Sequence, residues 1–237
     1  MVDNGYLASF PHHAMLVSCV HEDLEQLKTV SELECGEKVQ ADRLADPRFM
    51  LAPTVCHHCF EALKGRRIEQ ENFLITSIGK CHRFEGGAAA DLSRLHVFTM
   101  REIVFFGKFS WVERQRSQIK ERTRERFERW ELAHQLRTAT DPFFPVRNEG
   151  KRGYQSMQAH KHELAVLLPF SGELVACASF NNHVKTLVEP YGIDGSDQNF
   201  ASGCVGFGYE RIAFGLFAQF GLDVDRWPAT IKSDLDW

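Results

Sequence analysis

Residues 95–107 read LHVFTMREIVFFG, a run rich in Val, Ile and Phe that is too short for a membrane span. As a strand it places Phe98, Met100, Glu102, Val104 and Phe106 on one face. Four of these are apolar and the fifth is a carboxylate. A Glu on a buried sheet face is costly unless a cation or hydrogen bonds satisfy it. Phe98 and Glu102 stand roughly 13 Å apart at ~3.3 Å per residue. An aromatic at one end and a carboxylate at the other could bracket a nucleotide-sized ligand. The plainer alternative makes Glu102 a rim residue or one member of an ion pair.

Outward from this strand, NFLITSIGKCHRFEGG (72–87) is a second strand running into a Gly-rich turn, and the two could pair as a hairpin. HELAVLLP and ELVACASF are two further strand candidates, and YERIAFGLFAQFG (209–221) is an apolar helix stopped by Gly221. Residues 110–137, beginning SWVERQRSQIKERTRERFERWELAHQL, read as a long charged helix with an apolar stripe at Val112, Ile119, Phe127, Trp130 and Leu136. FMLAP (49–53) reads as a short buried strand and CHHCFEALKG (56–65) as a helix closed by Gly65. Residues 1–47 say least, with HEDLEQLKTVSELE (21–34) as a surface helix. Strands alternating with turns and flanked by a few helices make residues 1–237 a single α+β domain.

Composition bounds the function classes. The 237 residues carry 28 Lys plus Arg against 32 Asp plus Glu, a formal charge of −4. That balance does not favour a large nucleic-acid footprint. Seven cysteines without a signal peptide read as reduced thiols in a cytoplasmic protein, with no membrane span.

Two further clusters carry chemistry. In CVGFGYERIAFGLF (204–217), Gly206 and Gly208 permit close approach of a ligand or a strand, and Glu210 and Arg211 open an apolar helix. An arginine there can grip phosphate oxygens, or it can simply pair with Glu210. In CHRFEGG (81–87), Arg83 and Glu85 alternate where a strand gives way to a loop.

Together these stretches resemble the signature motifs of class II aminoacyl-tRNA synthetases. HRFE looks like the f-R-x-E of motif 2, RLHVF like its following strand, and GFGYER like motif 3. LAPTVC stands where seryl-type enzymes have a T-x-E loop, with Cys56 in place of the glutamate. This is similar to the atypical zinc-dependent seryl-tRNA synthetases and to their truncated relatives, the amino acid:[carrier protein] ligases. The resemblance covers about residues 48–228 and implies a class II synthetase-like antiparallel sheet flanked by helices.

It implies zinc held by Cys56, Glu102 and Cys204 at an amino-acid pocket, with Asn181 of SFNNH (179–183) beside it. Three protein ligands leave zinc an open position that a substrate amino group can fill. For ATP it implies Arg83 on the α-phosphate, Glu85 on the adenine amino group, Phe98 under the base and Arg211 on the γ-phosphate. Arg83 and Arg211 are thus the catalytic pair, with Mg2+ expected and Glu173 a possible ligand to it. The expected reaction is adenylation of a small amino acid of the glycine or alanine type.

For the second step, chain length and net charge leave no room for a tRNA-binding domain. The expected partner is therefore a carrier protein bearing a phosphopantetheine arm, and tRNA is unlikely; a basic face of the long helix could dock that partner, the plainer alternative being a solvated helix laced with i,i+4 ion pairs. A homodimer is expected although motif 1 is not visible in residues 1–50. The alternatives are a synthetase-like enzyme or fragment that charges tRNA with a partner, and a non-catalytic amino acid- or nucleotide-binding paralogue. A zinc knuckle built from Cys56, His57, His58 and Cys59 is disfavoured, because adjacent side chains on a helix cannot all converge on one ion.

Overall fold

In the computed structural model, residues 6–86, 91–139 and 161–236 are described. Gly87 and the start of the loop expected after motif 2 lie outside them. The centre is a six-stranded sheet in which every neighbouring pair is antiparallel. Its strands are β4 (Asn72–His82), β5 (Val97–Lys108), β6 (His134–Thr138), β7 (Lys161–Leu168), β8 (Glu173–Val184) and β10 (Phe200–Gly208), in the order β4-β5-β10-β8-β7-β6. Short pairs flank it: β1 (Leu16–Val17) with β2 (Phe49–Met50), and β3 (Arg67–Ile68) with β9 (Asp194–Gly195).

The 72–108 hairpin forms as expected. Alternation along β5 divides its side chains between two cores. Phe105 joins Val112, Phe127, Leu164, Val166, Phe180, Val205 and Leu216 on one face. Val104 and Phe106 join Cys56, Phe60, Leu187, Tyr191 and Cys204 on the other. Helix α4 (Phe109–Arg129) and helix α5 (Tyr209–Phe220) cover the first face. Gly215 lets α5 lie close to β7, because a Cβ there would stand 2.8 Å from Val166. Helix α3 (Cys56–Leu63) covers part of the second face and ends before Gly65 at φ +68.

The N-terminal part adds α1 (Tyr6–Ser9) and α2 (Leu24–Ser31). The surface helix expected at 21–34 is trimmed to α2 by Asp23, whose carboxylate accepts the Glu25 N–H at 3.0 Å. The C-terminal α6 (Ala229–Asp234) packs through buried Ile231.

Three expectations are corrected. The helix expected over 110–137 ends at Arg129; Glu131 adopts φ 56 and the chain turns back into β6, pairing Leu136 with Leu164. No glycine or proline marks that break, so pairing with β7 decides it. The strand at 49–53 is two residues long and Phe49 is exposed, because it pairs only with β1 at the margin of the fold. FASGCVGFG, in which small residues outnumber Phe200, Val205 and Phe207, is the central strand β10. Among the described residues no helix is long and apolar enough to cross a membrane.

Candidate functional site

The second face of the sheet carries the polar groups. Strand β5 supplies Glu102, β10 supplies Cys204, and the first residue of α3 supplies Cys56. All three are buried, and their ligand atoms lie within 4.8 Å of one another. Glu102 is also tied to the start of α3, for its carboxylate accepts the backbone N–H of Val55 at 3.2 Å and of Cys56 at 3.0 Å. Strand β8 adds Asn181, whose Nδ2 donates to Cys204 Sγ and to Ser179 Oγ, each at 3.4 Å.

The electrostatics of the triad ask for a cation. Burial, with the charge of Cys204 adding, pushes the Glu102 carboxyl up to about 7. The hydrogen bond from Cys56 holds the Cys204 thiol well down, and giving that bond, together with burial, holds Cys56 well up. Two sulfurs and a carboxylate thus crowd together in the interior while sharing protons. A divalent ion would take the place of those protons. Zinc bonded to two sulfurs at ~2.3 Å and an oxygen at ~2.0–2.2 Å sets ligand atoms roughly 3.5–3.8 Å apart, inside the observed limit. The donor set therefore fits zinc. Among the described residues no other group of three His, Cys, Asp or Glu side chains converges in this way.

The neighbours in CHHC do not join the triad. His57 Nδ1 shares a 3.0 Å hydrogen bond with Tyr191 Oη, and burial lowers its imidazole to about 3. His58 is exposed. Cys59 is buried in the apolar cluster with Phe60, where burial pushes its thiol up.

The remaining expected residues surround a cleft of about 940 Å3 over the same face. Arg83, Glu85, Phe98, Glu173 and Arg211 all line it, with Met100, Ser179 and Gly208 leading toward the triad. The Arg83 guanidinium lies 5.2 Å from the Phe98 ring centroid and its Nε donates to Pro53 O at 2.9 Å. Arg211 is braced from both sides: Nε donates to Ser93 O and Nη1 to Ala176 O, each at 2.8 Å. Glu85 stands 3.7 Å from the exposed Arg94, and its N–H donates to His96 Nδ1 at 3.1 Å. Glu173 is exposed at the first position of β8, on the rim of the cleft.

The simple helix-start pairing of Glu210 with Arg211 is not what forms. Glu210 turns to β5, accepting the N–H and hydroxyl of Thr99, and lies 3.6 Å from Lys80. That leaves Arg211 directed into the cleft.

Three cleft residues escaped the sequence reading. Glu163 on β7 is buried, 3.2 Å from Lys161 and 3.6 Å from Arg137 of β6. The clue available was a Lys–Glu pair at period two in an otherwise apolar strand. Without the pairing to β8, that clue did not say which face it occupied.

No protein-family model matches the chain. Its homologues are type-2 serine–tRNA ligases. It is 31% identical to that of Methanopyrus kandleri over 209 residues, covering 82% of this chain and 39% of the relative. It is 28% identical to that of Methanococcus aeolicus over 242 residues, covering 97% of this chain and 46% of the relative. The chain thus spans less than half the length of these curated relatives. The solved structure of M. kandleri seryl-tRNA synthetase in complex with Aquifex aeolicus tRNASec superposes with a TM-score of 0.84 at 26% identity, covering 100% of this chain and 48% of that one. A cytoplasmic serine–tRNA ligase from Naegleria fowleri in complex with AMP shares the fold, with a TM-score of 0.65 at 11% identity. The fold is that of the class II synthetases.

These relatives overturn the expected acceptor. They are tRNA ligases, and one is seen with a tRNA, so the expectation of a carrier-protein ligase that avoids tRNA fails. That expectation rested on chain length and net charge. Length is uninformative here, because the matched span is under half of each of these relatives.

Proposed function

We propose that this chain is a seryl-tRNA synthetase-like catalytic unit that activates serine with ATP for transfer to tRNA. The observation that carries the reading is the convergence of Cys56, Glu102 and Cys204 on the same sheet face as a cleft lined by Arg83, Phe98 and Arg211. The homology to type-2 serine–tRNA ligases supplies the amino acid and the acceptor.

Zinc, when bound, would offer an open coordination position to a neutral α-amino group. The protein does the positioning. Cys56, Glu102 and Cys204 would hold the ion, and Glu102 keeps its orientation through the Val55 and Cys56 amides. Arg83 would swing from its contact with Phe98 to the α-phosphate and free that ring to stack on adenine. Glu85 would accept from the adenine amino group. Arg211, already braced by two carbonyls, would meet the γ-phosphate without further ordering. Glu173 on the rim would serve a magnesium ion carried in with the phosphates.

With both substrates held, a carboxylate oxygen of serine attacks the α-phosphorus and pyrophosphate leaves. The new mixed anhydride is seryl-adenylate. Such chemistry needs alignment and neutralised charge, not a protein nucleophile. A hydroxyl of the terminal ribose of tRNA then attacks the serine carbonyl carbon and AMP departs.

ATP–pyrophosphate exchange, measured for each amino acid with and without zinc, tests this. Exchange that is strongest with serine and lost on chelation is expected; absence of exchange with every amino acid would sink the proposal. Cys204→Ala should weaken zinc binding at least about a hundredfold, close to 2.7 kcal/mol, and abolish exchange in parallel. Undiminished zinc content in that variant would remove the triad from the scheme.

A further inference from the structure

Four strands bring four residues into one row on the site face. Glu102 of β5 is in register with Gly206 of β10, Gly206 with Ser179 of β8, and Ser179 with Glu163 of β7. The row has a carboxylate at each end and two of the smallest side chains between. The row forms a shallow trough whose middle is taken by the flexible end of Met100: a side chain at Gly206 would meet Met100 Cε at 2.9 Å, Ser179 Oγ at 3.4 Å and Glu102 Cγ at 3.5 Å. Three strand spacings separate the ends, roughly 14 Å between Cα positions. Ser179 and Glu163 both line the cleft.

The far end is built with care. Glu163 is 6% exposed and lies on the cleft floor, clamped by Lys161 on its own strand and by Arg137 on the next. The Lys161 contact is at hydrogen-bond distance and the Arg137 contact is longer, and a carboxylate with about four acceptor positions keeps capacity for another donor beside them. Arg137 in turn leaves its Nε buried without a partner, which marks a cluster shaped for the cleft more than for packing. Lys161 continues the neighbouring row, being in register with Asn181 beside Cys204.

Resting on the proposed function, we propose that Glu163 determines side-chain specificity in this pocket. An amino acid with its nitrogen at the Cys56–Glu102–Cys204 end and its carboxylate toward Arg83 directs its side chain along the trough, over Ser179. There Glu163 accepts a hydrogen bond from a side-chain donor such as a hydroxyl. An amino acid without a donor leaves that remaining acceptor position of the carboxylate desolvated and unfilled. This is the arrangement that rejects an analogue lacking the group far better than apolar contact could. The pocket therefore selects small amino acids with a donor on the β-carbon over glycine and alanine, the substrates first expected from the resemblance.

The test uses the zinc-loaded full chain with L-serine and L-alanine, comparing Glu163→Ala and Glu163→Gln with the unaltered protein. Two readouts run in parallel: kcat/KM in ATP–pyrophosphate exchange, and amino-acid binding by calorimetry without ATP. A serine-over-alanine preference of at least about tenfold should fall to within threefold in Glu163→Ala and partly return in Glu163→Gln, whose amide oxygen still accepts. An unchanged ratio in Glu163→Ala overturns the assignment while leaving serine activation intact. If Glu163→Ala does not fold, Arg137→Met loosens the clamp and should erode the same ratio; no erosion overturns it equally. If no amino acid supports exchange, the proposed function falls and calorimetry alone decides. Serine bound tighter than alanine only while Glu163 is present upholds the assignment, and equal affinities end it.

Discussion

The two faces of the central sheet are made by the same strands to opposite specifications. Along β5, Phe105 points into the cluster under α4 and α5, while Glu102 and Val104 point toward α3 and the cleft. The helix-covered face is filled: Phe105, Leu164, Val166, Phe180 and Val205 all have no solvent exposure. The other face is short of side chains at Gly206 and Ser179, and beside its apolar cluster under α3 it buries the carboxyl groups of Glu102 and Glu163. The first face fixes the strands in register, and the second uses that register to line up atoms from different strands. Stability and chemistry are thus separated by one residue step.

That separation can be broken from either side. The largest effect expected is Phe105→Ala, which should cost about 3–5 kcal/mol by emptying a close-packed site, read as a lower denaturation midpoint. The protein that remains folded should bind zinc with unaltered affinity, and a large affinity loss would show that the faces are not independent. Gly206→Ala should do the reverse. The added methyl displaces the flexible end of Met100 and partly fills the trough, weakening amino-acid binding roughly tenfold, about 1.4 kcal/mol, with thermal stability nearly unchanged. A clear drop in melting temperature with amino-acid affinity intact would contradict the trough.

The smallest effect concerns Asp234, at the end of α6 on the margin of the helix-covered face. Its ion pair with Arg129, its hydrogen bond from Trp130 Nε1 at 2.7 Å and Arg126 at 3.2 Å hold its carboxyl below the usual range. A depressed folded pKa means that this contribution is present above the ordinary aspartate value near ~3.9 and is lost as pH falls through the lower folded value. Asp234→Asn should therefore lower stability slightly at pH 7 and by less at acid pH, the loss fading as pH falls through the depressed folded value. Equal losses at both pH values would mean that packing, not charge, anchors α6.

Much of this was legible in the residues. Period-two alternation put Glu102 and Phe98 on one side of β5, and the resemblance linked Cys56 to Cys204 across most of the chain. What escaped did so for physical reasons. A strand made largely of Ala, Ser, Gly and Cys has little intrinsic preference, so β10 is recognisable only once β5 and β8 hold it on both sides. Residues after Arg129 continue a helical pattern, and only pairing with β7 draws them into β6. Glu163 shares the Glu102 face only through two intervening strands, a relation no local window contains. The acceptor was misjudged because length and net charge describe a chain and not the partner of its site.

Glu102 has one more consequence. Because its carboxylate is moored to the first amides of α3, the three ligands are already gathered before any ion arrives. Metal uptake should then be a simple capture whose rate rises linearly with free zinc, without a slow conformational phase. Loss of an ion proposed for this site would leave a folded, refillable apoprotein, so zinc supply would set the proposed activity reversibly instead of triggering turnover of the chain.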